Sequence, residues 1–340
     1  MSLATKYRPK TWEDVTEQSV VTDIFRKMCD ATHMPNRNFL LIGPSGCGKT
    51  TISRIAANVL NSGEGEPIEV DAASHSGVDA MREIVQQARA FPIGCTWKVF
   101  IIDECHSISS AGWQVMLKTI EEGPAKSIFM FCTTNPEKIP ATILSRVQTF
   151  QLSKISLDGV FNRIKHVIEQ ENAEGAQISY TEDALRYIAK LSNGGMRDAL
   201  TLLDKALVYN KNITSENILV ALNLPSYDDY FQMLAACASK NNAEIAKIVN
   251  DVYNSGINYV KWFDGFLSFV MNVVKYILMK DINATMIPIH YASKMQSYGD
   301  AHLAVCLKLA NRLVTLNHEL KSTQYLQEVT LAYLCTVPKK

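Results

Sequence analysis

The chain has 340 residues, 47% of them hydrophobic and 20% charged, a balance that excludes global disorder and fits roughly two or three domains. Its 34 basic and 34 acidic side chains cancel, so any nucleic-acid contact needs a local patch, or several copies of one, rather than a whole-molecule basic field. Eight scattered cysteines, none in a C-x-x-C pair, suit free thiols in a reducing cytoplasm rather than a zinc ribbon or a disulfide framework.

From Asn38 to about Phe150, short apolar runs alternate with helical patterns. The runs Phe39–Ile42, Ile68–Val70, Val99–Ile102, Ile128–Cys132 and Thr149–Leu152 predict strands. The first, third and fourth are nearly continuous, as in strands buried on both faces of a parallel sheet, and the alternation predicts an α/β core covered by helices. After the first run stands Gly43-Pro44-Ser45-Gly46-Cys47-Gly48-Lys49-Thr50, which fits G-x-x-x-x-G-K-[ST] between a strand and a helix. Glycines there let backbone N–H groups turn inward around phosphates at the positive end of the helix. Lys49 is expected to reach the β- and γ-phosphates of ATP and Thr50 to hold Mg²⁺, with Gly46, Cys47, Gly48 and Thr51 among the nucleotide contacts.

The second strand leads into the loop Asp71–Asp79, and the helix after it carries Arg82 and Arg89, candidates for an inner DNA-facing surface or a partner-facing edge. The third strand ends in Asp103-Glu104. In a P-loop fold the first acid at that position helps hold Mg²⁺ and the second can polarise the attacking water. Thr133, Thr134 and Asn135 follow the fourth strand, where they either sense a γ-phosphate or simply turn the chain before Pro136. Arg146 and Arg197, taken alone, fit solvated or locally paired side chains.

Beyond Ser156 the strand signal stops. Thr181 starts a helix that Gly194-Gly195 stops, a second helix spans Met196–Tyr209, Pro225 closes the unit, and long amphipathic helices follow. The expected division is residues 1–155 as the α/β core, 156–222 as a helical lid and 223–340 as a helical oligomerisation domain. The most apolar stretch, Ile257–Ile282, is interrupted by Lys261, Asp264 and Lys275 and predicts a buried helix, not a membrane span. The N-terminus has no apolar run behind a basic start, so a signal peptide is not expected, and the expected location is the cytoplasm.

Several segments together resemble the AAA+ clamp-loader ATPases. They are Lys6-Tyr7-Arg8-Pro9-Lys10-Thr11-Trp12-Glu13-Asp14-Val15, Asp103-Glu104-Cys105-His106 and Leu117-Lys118-Thr119-Ile120-Glu121-Glu122. Leu144-Ser145-Arg146 and Gly195-Met196-Arg197-Asp198-Ala199-Leu200 complete the set, in unbroken order over about residues 4–222. The pattern is most similar to the bacterial DNA polymerase III gamma/tau subunits, and is also similar to the small subunits of replication factor C and of phage clamp loaders.

The resemblance implies an ATPase stimulated by DNA that works beside other clamp-loader subunits in a pentameric assembly. That assembly opens a sliding clamp and sets it on primer–template DNA, without a membrane partner. It also implies roles for single residues. Arg146 would be an arginine finger acting in trans, Arg197 would contact the γ-phosphate, and Thr133 would be the sensor at the fourth strand. Tyr7, Arg8, Pro9 and Val15 would lie around adenine and ribose. The departures are specific: Asn61–Pro67 is a short loop where the bacterial family carries a four-cysteine zinc module, so no zinc is expected. Val147 replaces the cysteine of S-R-C, and Glu17 replaces a glycine before Gln18. No polymerase- or helicase-binding extension is expected after the helical domain.

Two other functions share the P-loop. An unfoldase would need an aromatic pore loop, which Asp71–Asp79 does not offer, and a branch-migration helicase would end in a winged helix rather than in helices only. A scaffold that binds nucleotide without turnover would lack one of Lys49, Glu104 or Arg146, and all three are present.

Overall fold

The computed structural model describes residues 1–29, 36–124 and 126–335, with Asn283 described by its backbone only. They divide into two units: Met1–Ala176 with Ser192–Asp204, and Gln177–Leu191 with the chain from Lys205 onward.

The first unit is built on a five-stranded parallel sheet in the order β2-β3-β4-β1-β5. The strands are β1 (Asn38–Ile42), β2 (Ile68–Asp71), β3 (Lys98–Asp103), β4 (Ser127–Thr133) and β5 (Gln148–Gln151). Each predicted apolar run lies at a strand, with end residues shifted by at most one: pairing continues past the apolar side chains in β1 to β4, and β5 begins and ends one residue before its run. Successive side chains alternate between faces. Phe39 and Leu41 therefore pack with Ile101, Met130 and the helix residues Ile52 and Ile55, while Leu40 and Ile42 pack on the other face with Phe100, Phe131, Met81 and Trp113. Burying one such side chain stabilises by about 1.5–3 kcal/mol, which is why the nearly continuous runs occupy the middle of the sheet. β2, at the edge, alternates half-buried Ile68 and Val70 with exposed Glu69 and Asp71.

Parallel register brings the carboxyl ends of the central strands together. Ile42 at the end of β1 pairs with Thr133 at the end of β4, and Asp71 pairs with Asp103 at the end of β3. An open parallel sheet binds its ligand beyond these ends, where neighbouring strands connect in opposite directions. Here β1 sits between β4 and β5, and the helix Lys49–Leu60 starts above it.

Two further parts of this unit frame that edge. The N-terminal strap is anchored by Trp12, which is buried and stacks on Phe25 of the helix Ser19–Cys29 with ring centroids 6.4 Å apart. The helix Leu157–Ala173 follows β5, and Ser156 caps it by accepting from the Gly159 amide.

In the second unit, the helices Tyr227–Ser239, Asn242–Asn254, Tyr259–Met279, Asp300–Leu320 and Leu326–Cys335 share one core. Tyr259–Met279 is long and apolar enough by composition to cross a membrane. Its Trp262, Phe266, Phe269 and Val273 are buried in that core, with Tyr230 and Trp262 rings 5.0 Å apart. The structure adds a two-stranded parallel pair, β6 (Ser179–Tyr180) with β7 (Asn212–Ile213), in the stretch where the sequence shows only helices. Two residues per strand are too few to leave a periodic signal.

Candidate nucleotide site

The phosphate end of the site follows directly from the turn between β1 and its helix. Gly46 and Gly48 have φ of +72° and +111°, backbone that side-chain-bearing residues rarely adopt. A Cβ on Gly46 would also lie 3.0 Å from Gly195 Cα, so glycine is required both for the turn and for that close approach. Lys49 is buried, and its Nζ donates to the carbonyls of Gly43 and Pro44 at 2.8 and 2.9 Å. Cys47, Cys105 and Cys132 are buried beside this region. Burial pushes all three thiols up, that of Cys132 to about 12, so they stay protonated and serve as packing.

Thr50 Oγ1 donates to Asp103 Oδ2 at 2.7 Å, joining the start of the helix to the end of β3. Asp103 Oδ1 accepts from the Glu104 amide at 3.0 Å, and Glu104 itself sits in the left-handed region with φ +46°. That turn aims the Glu104 carboxylate at the end of β4, where Oε2 accepts from Thr134 Oγ1 at 3.2 Å and lies 3.2 Å from His106 Nδ1. His106 Nδ1 is also 3.1 Å from Thr133 Oγ1, which accepts from the Asn135 amide at 3.0 Å. Glu104, Thr134, His106 and Thr133 thus form one polar relay behind the phosphate loop. The hard oxygens of Thr50 and Asp103 suit a magnesium ion. Among the described residues no group of three or more His, Cys, Asp or Glu side chains gathers as a metal site.

A cleft opens from this end along the strap. Tyr7, Arg8, Pro9 and Val15 line it with Ser45–Thr51, Asp103, Glu104 and Arg197. Arg197 stands at the start of the helix Met196–Tyr209, and the Met196 amide donates to the Gly46 carbonyl at 3.0 Å. Sequence reasoning missed Ala4, Thr16, Ile155, Arg163, Met196 and Leu200, which also line the cleft. Met196 and Leu200 stand within the segment Gly195–Leu200, where only Arg197 was given a role, and the other four belong to no nucleotide-binding motif, their signal in the sequence being nearness to residues that do.

Two sequence-predicted residues stand outside the lining. Thr133 is fully buried; its hydroxyl is linked to the cleft through His106 and Glu104, and its carbonyl accepts from the Gly43 amide at the start of the phosphate loop at 3.2 Å. Arg146 lies on the surface, its side chain 37% exposed, with Nε 2.7 Å from Glu121 Oε1 and Nη1 donating to the Thr142 carbonyl at 2.7 Å. Arg82 and Arg89 are both on the helix Val78–Arg89, and Arg82 pairs with Asp79 at 2.9 Å.

Sheet order, phosphate loop and acidic strand end together define a P-loop ATPase of the AAA+ class. The fold is similar to that of a Thermotoga maritima RuvB described as a Holliday junction branch migration motor, at a TM-score of 0.52 and 20% identity over 68% of this chain and 78% of that one. Residues 66–156 match the family described as DNA polymerase III, delta subunit, and residues 160–212 the DNA polymerase III clamp loader subunit, ATPase lid domain. The DNA polymerase III subunit gamma of Buchnera aphidicola subsp. Baizongia pistaciae is 30% identical over 331 residues, 88% of each chain. The subunit tau of Bacillus subtilis is 30% identical over 292 residues, 79% of this chain and 51% of that one. This chain belongs to the DNA polymerase III gamma/tau family of clamp-loader subunits. It spans about half the length of its Bacillus subtilis and Mycoplasma genitalium relatives, 51% and 49%.

Proposed function

We propose that this chain is the ATP-driven motor subunit of a sliding-clamp loader, opening a polymerase clamp and setting it on primer–template DNA with other loader subunits. The observation that supports hydrolysis most directly is the Thr50–Asp103 pair, with Lys49 beneath the phosphate loop and Glu104 at the next position. Mg²⁺ would be held by Thr50 Oγ1 and Asp103 and would neutralise charge on the phosphates. Lys49 would leave its two carbonyls to reach the β- and γ-phosphates, Arg197 would contact the γ-phosphate, and Glu104 would accept a proton from the attacking water. Tyr7, Pro9 and Val15 offer flat or apolar surface to adenine.

Arg146, on the surface, would complete the site of a neighbouring subunit, so the working unit is an assembly, proposed as a pentamer joined through residues 223–340. Nucleotide binding would stiffen a spiral of subunits around the DNA, and hydrolysis would release it. With zero net charge on each chain, DNA affinity must come from a patch repeated around the spiral and should fall steeply with salt. The deciding measurement is ATP hydrolysis by the cytoplasmic protein alone, with primer–template DNA, and with DNA plus clamp, alongside the particle mass. Rates should rise at each addition; a rate indifferent to both would end the loader assignment.

A further inference from the structure

Beside the base end of the cleft lies a tie made by Glu17, where the clamp-loader pattern has a glycine. Glu17 and Gln18 are consecutive non-glycine residues with φ of +60° and +58°. Backbone strain of this kind persists only where surrounding bonds over-determine it. Those bonds are present. The Ser156 amide donates to Glu17 Oε2 at 2.9 Å, and the Ser156 hydroxyl donates to Glu17 Oε1. Gln18 lies alongside, its Nε2 donating to the Ser153 carbonyl at 2.7 Å and its Oε1 accepting from the Ser153 amide at 3.2 Å. The helix after Ser156 is shaped to admit the carboxylate: a Cβ on Gly159 would lie 2.5 Å from Glu17 Oε1. A negative charge at a helix N-terminus is favoured by the dipole as well.

The clasp joins two walls of the cleft. Val15 and Thr16, just before Glu17, line one side, and Ile155, just before Ser156, lines the other. Beyond Ile155 the same stretch is tied to the phosphate loop. The Ile155 amide donates to the Gly194 carbonyl at 3.2 Å, and the Met196 amide to the Gly46 carbonyl at 3.0 Å. We propose that Glu17 is a positioning residue for the nucleotide base: by clasping Ser156 it sets the spacing of the base-end walls and gives this chain its grip on adenine nucleotides over bare polyphosphate. This rests on the nucleotide-binding assignment of the cleft. The Glu17 carboxylate bonds Ser156 and Glu17 is not among the residues lining the cleft, so its effect is on the base-end walls and not on the phosphates.

The test uses the full chain with Mg²⁺ and compares binding of ATP, ADP and inorganic tripolyphosphate by calorimetry. Glu17→Gly removes the clasp while suiting the left-handed backbone, so its melting temperature should hold or rise. ATP and ADP should bind about tenfold more weakly, and tripolyphosphate as in the unaltered protein. Glu17→Gln, which keeps one acceptor oxygen and the side-chain shape, should fall between the two, and it decides the matter if the glycine variant does not fold. Unchanged ATP affinity in both variants, or equal losses for ATP and tripolyphosphate, would overturn the proposal. If the unaltered protein bound neither ligand, the assignment of the cleft would be at fault instead.

Discussion

The two ends of the cleft are built in opposite ways. At the phosphate end the lysine's contacts are short in sequence, Lys49 reaching back to Gly43 and Pro44, while Asp103, Thr133 and Met196 reach the loop from distant segments. At the base end the ties between the strap and the later helix are all long-range. Arg163 donates to the Tyr7 carbonyl at 3.1 Å, the Tyr7 hydroxyl donates to Glu171 at 2.9 Å, and Lys6 pairs with Glu171 at 2.8 Å. A turn written by eight consecutive residues varies little without losing its chemistry. A wall laced together from the strap and a later helix can be loosened or tightened by single changes while the phosphate contacts stay intact.

The largest expected effect asks whether the phosphate end is complete within one chain. Arg146→Ala should keep ATP affinity yet lose about 10³–10⁵ of DNA-stimulated hydrolysis. Glu104→Gln should bind ATP well and turn it over slowly. Mixing the two inactive variants pairs an intact Glu104 with an intact Arg146 at some interfaces, so activity should partly return. No recovery despite subunit exchange would mean that Arg146 acts within its own chain. Lys49→Ala comes next. It should weaken ATP and tripolyphosphate alike, on the order of 10³-fold, the opposite pattern to a change at Glu17. Selective loss of ATP alone would contradict the division between the ends.

Smaller effects belong to the strap. Trp12→Ala leaves a void beside Phe25 and should cost about 3 kcal/mol in urea unfolding. Trp12→Phe should recover most of it, because the buried indole N–H has no hydrogen-bond partner among the described residues. If both variants match the unaltered protein, the strap is not anchored there. The smallest effect is one of pH. The hydrogen bond from Lys6 holds the Glu171 carboxyl below its ordinary 4.5. Its stabilisation is therefore present above about pH 4.5 and fades as pH falls through the lower folded value. Melting temperatures should show this loss in acid, and Glu171→Gln should remove that share of the slope. An identical acid profile in that variant would show that the pair contributes nothing.

Legibility followed the same division. β1, β3 and β4 stood out because strands buried on both faces must be apolar throughout, and the phosphate loop because its backbone demands glycine at set positions. β6 and β7 left no trace, being two residues each. Ile155 and Arg163 line the cleft without any motif, since their presence there depends on where β5 and the following helix lie. Glu17 was visible only as a departure from a glycine, and its partner Ser156, 139 positions away, could not be read from spacing.

Sequence alone determined the alternation of strand and helix, the phosphate-binding turn, the acidic end of β3 and, through ordered motifs, the family. All of these are set by local backbone chemistry or by the periodicity of burial. Only the tertiary structure decided that Thr133 meets the cleft through His106, that Arg146 lies paired with Glu121 at the surface, and that Glu17 closes on Ser156. Those contacts join segments whose mutual distance is a property of the packed sheet and its helices, and no window of sequence contains it.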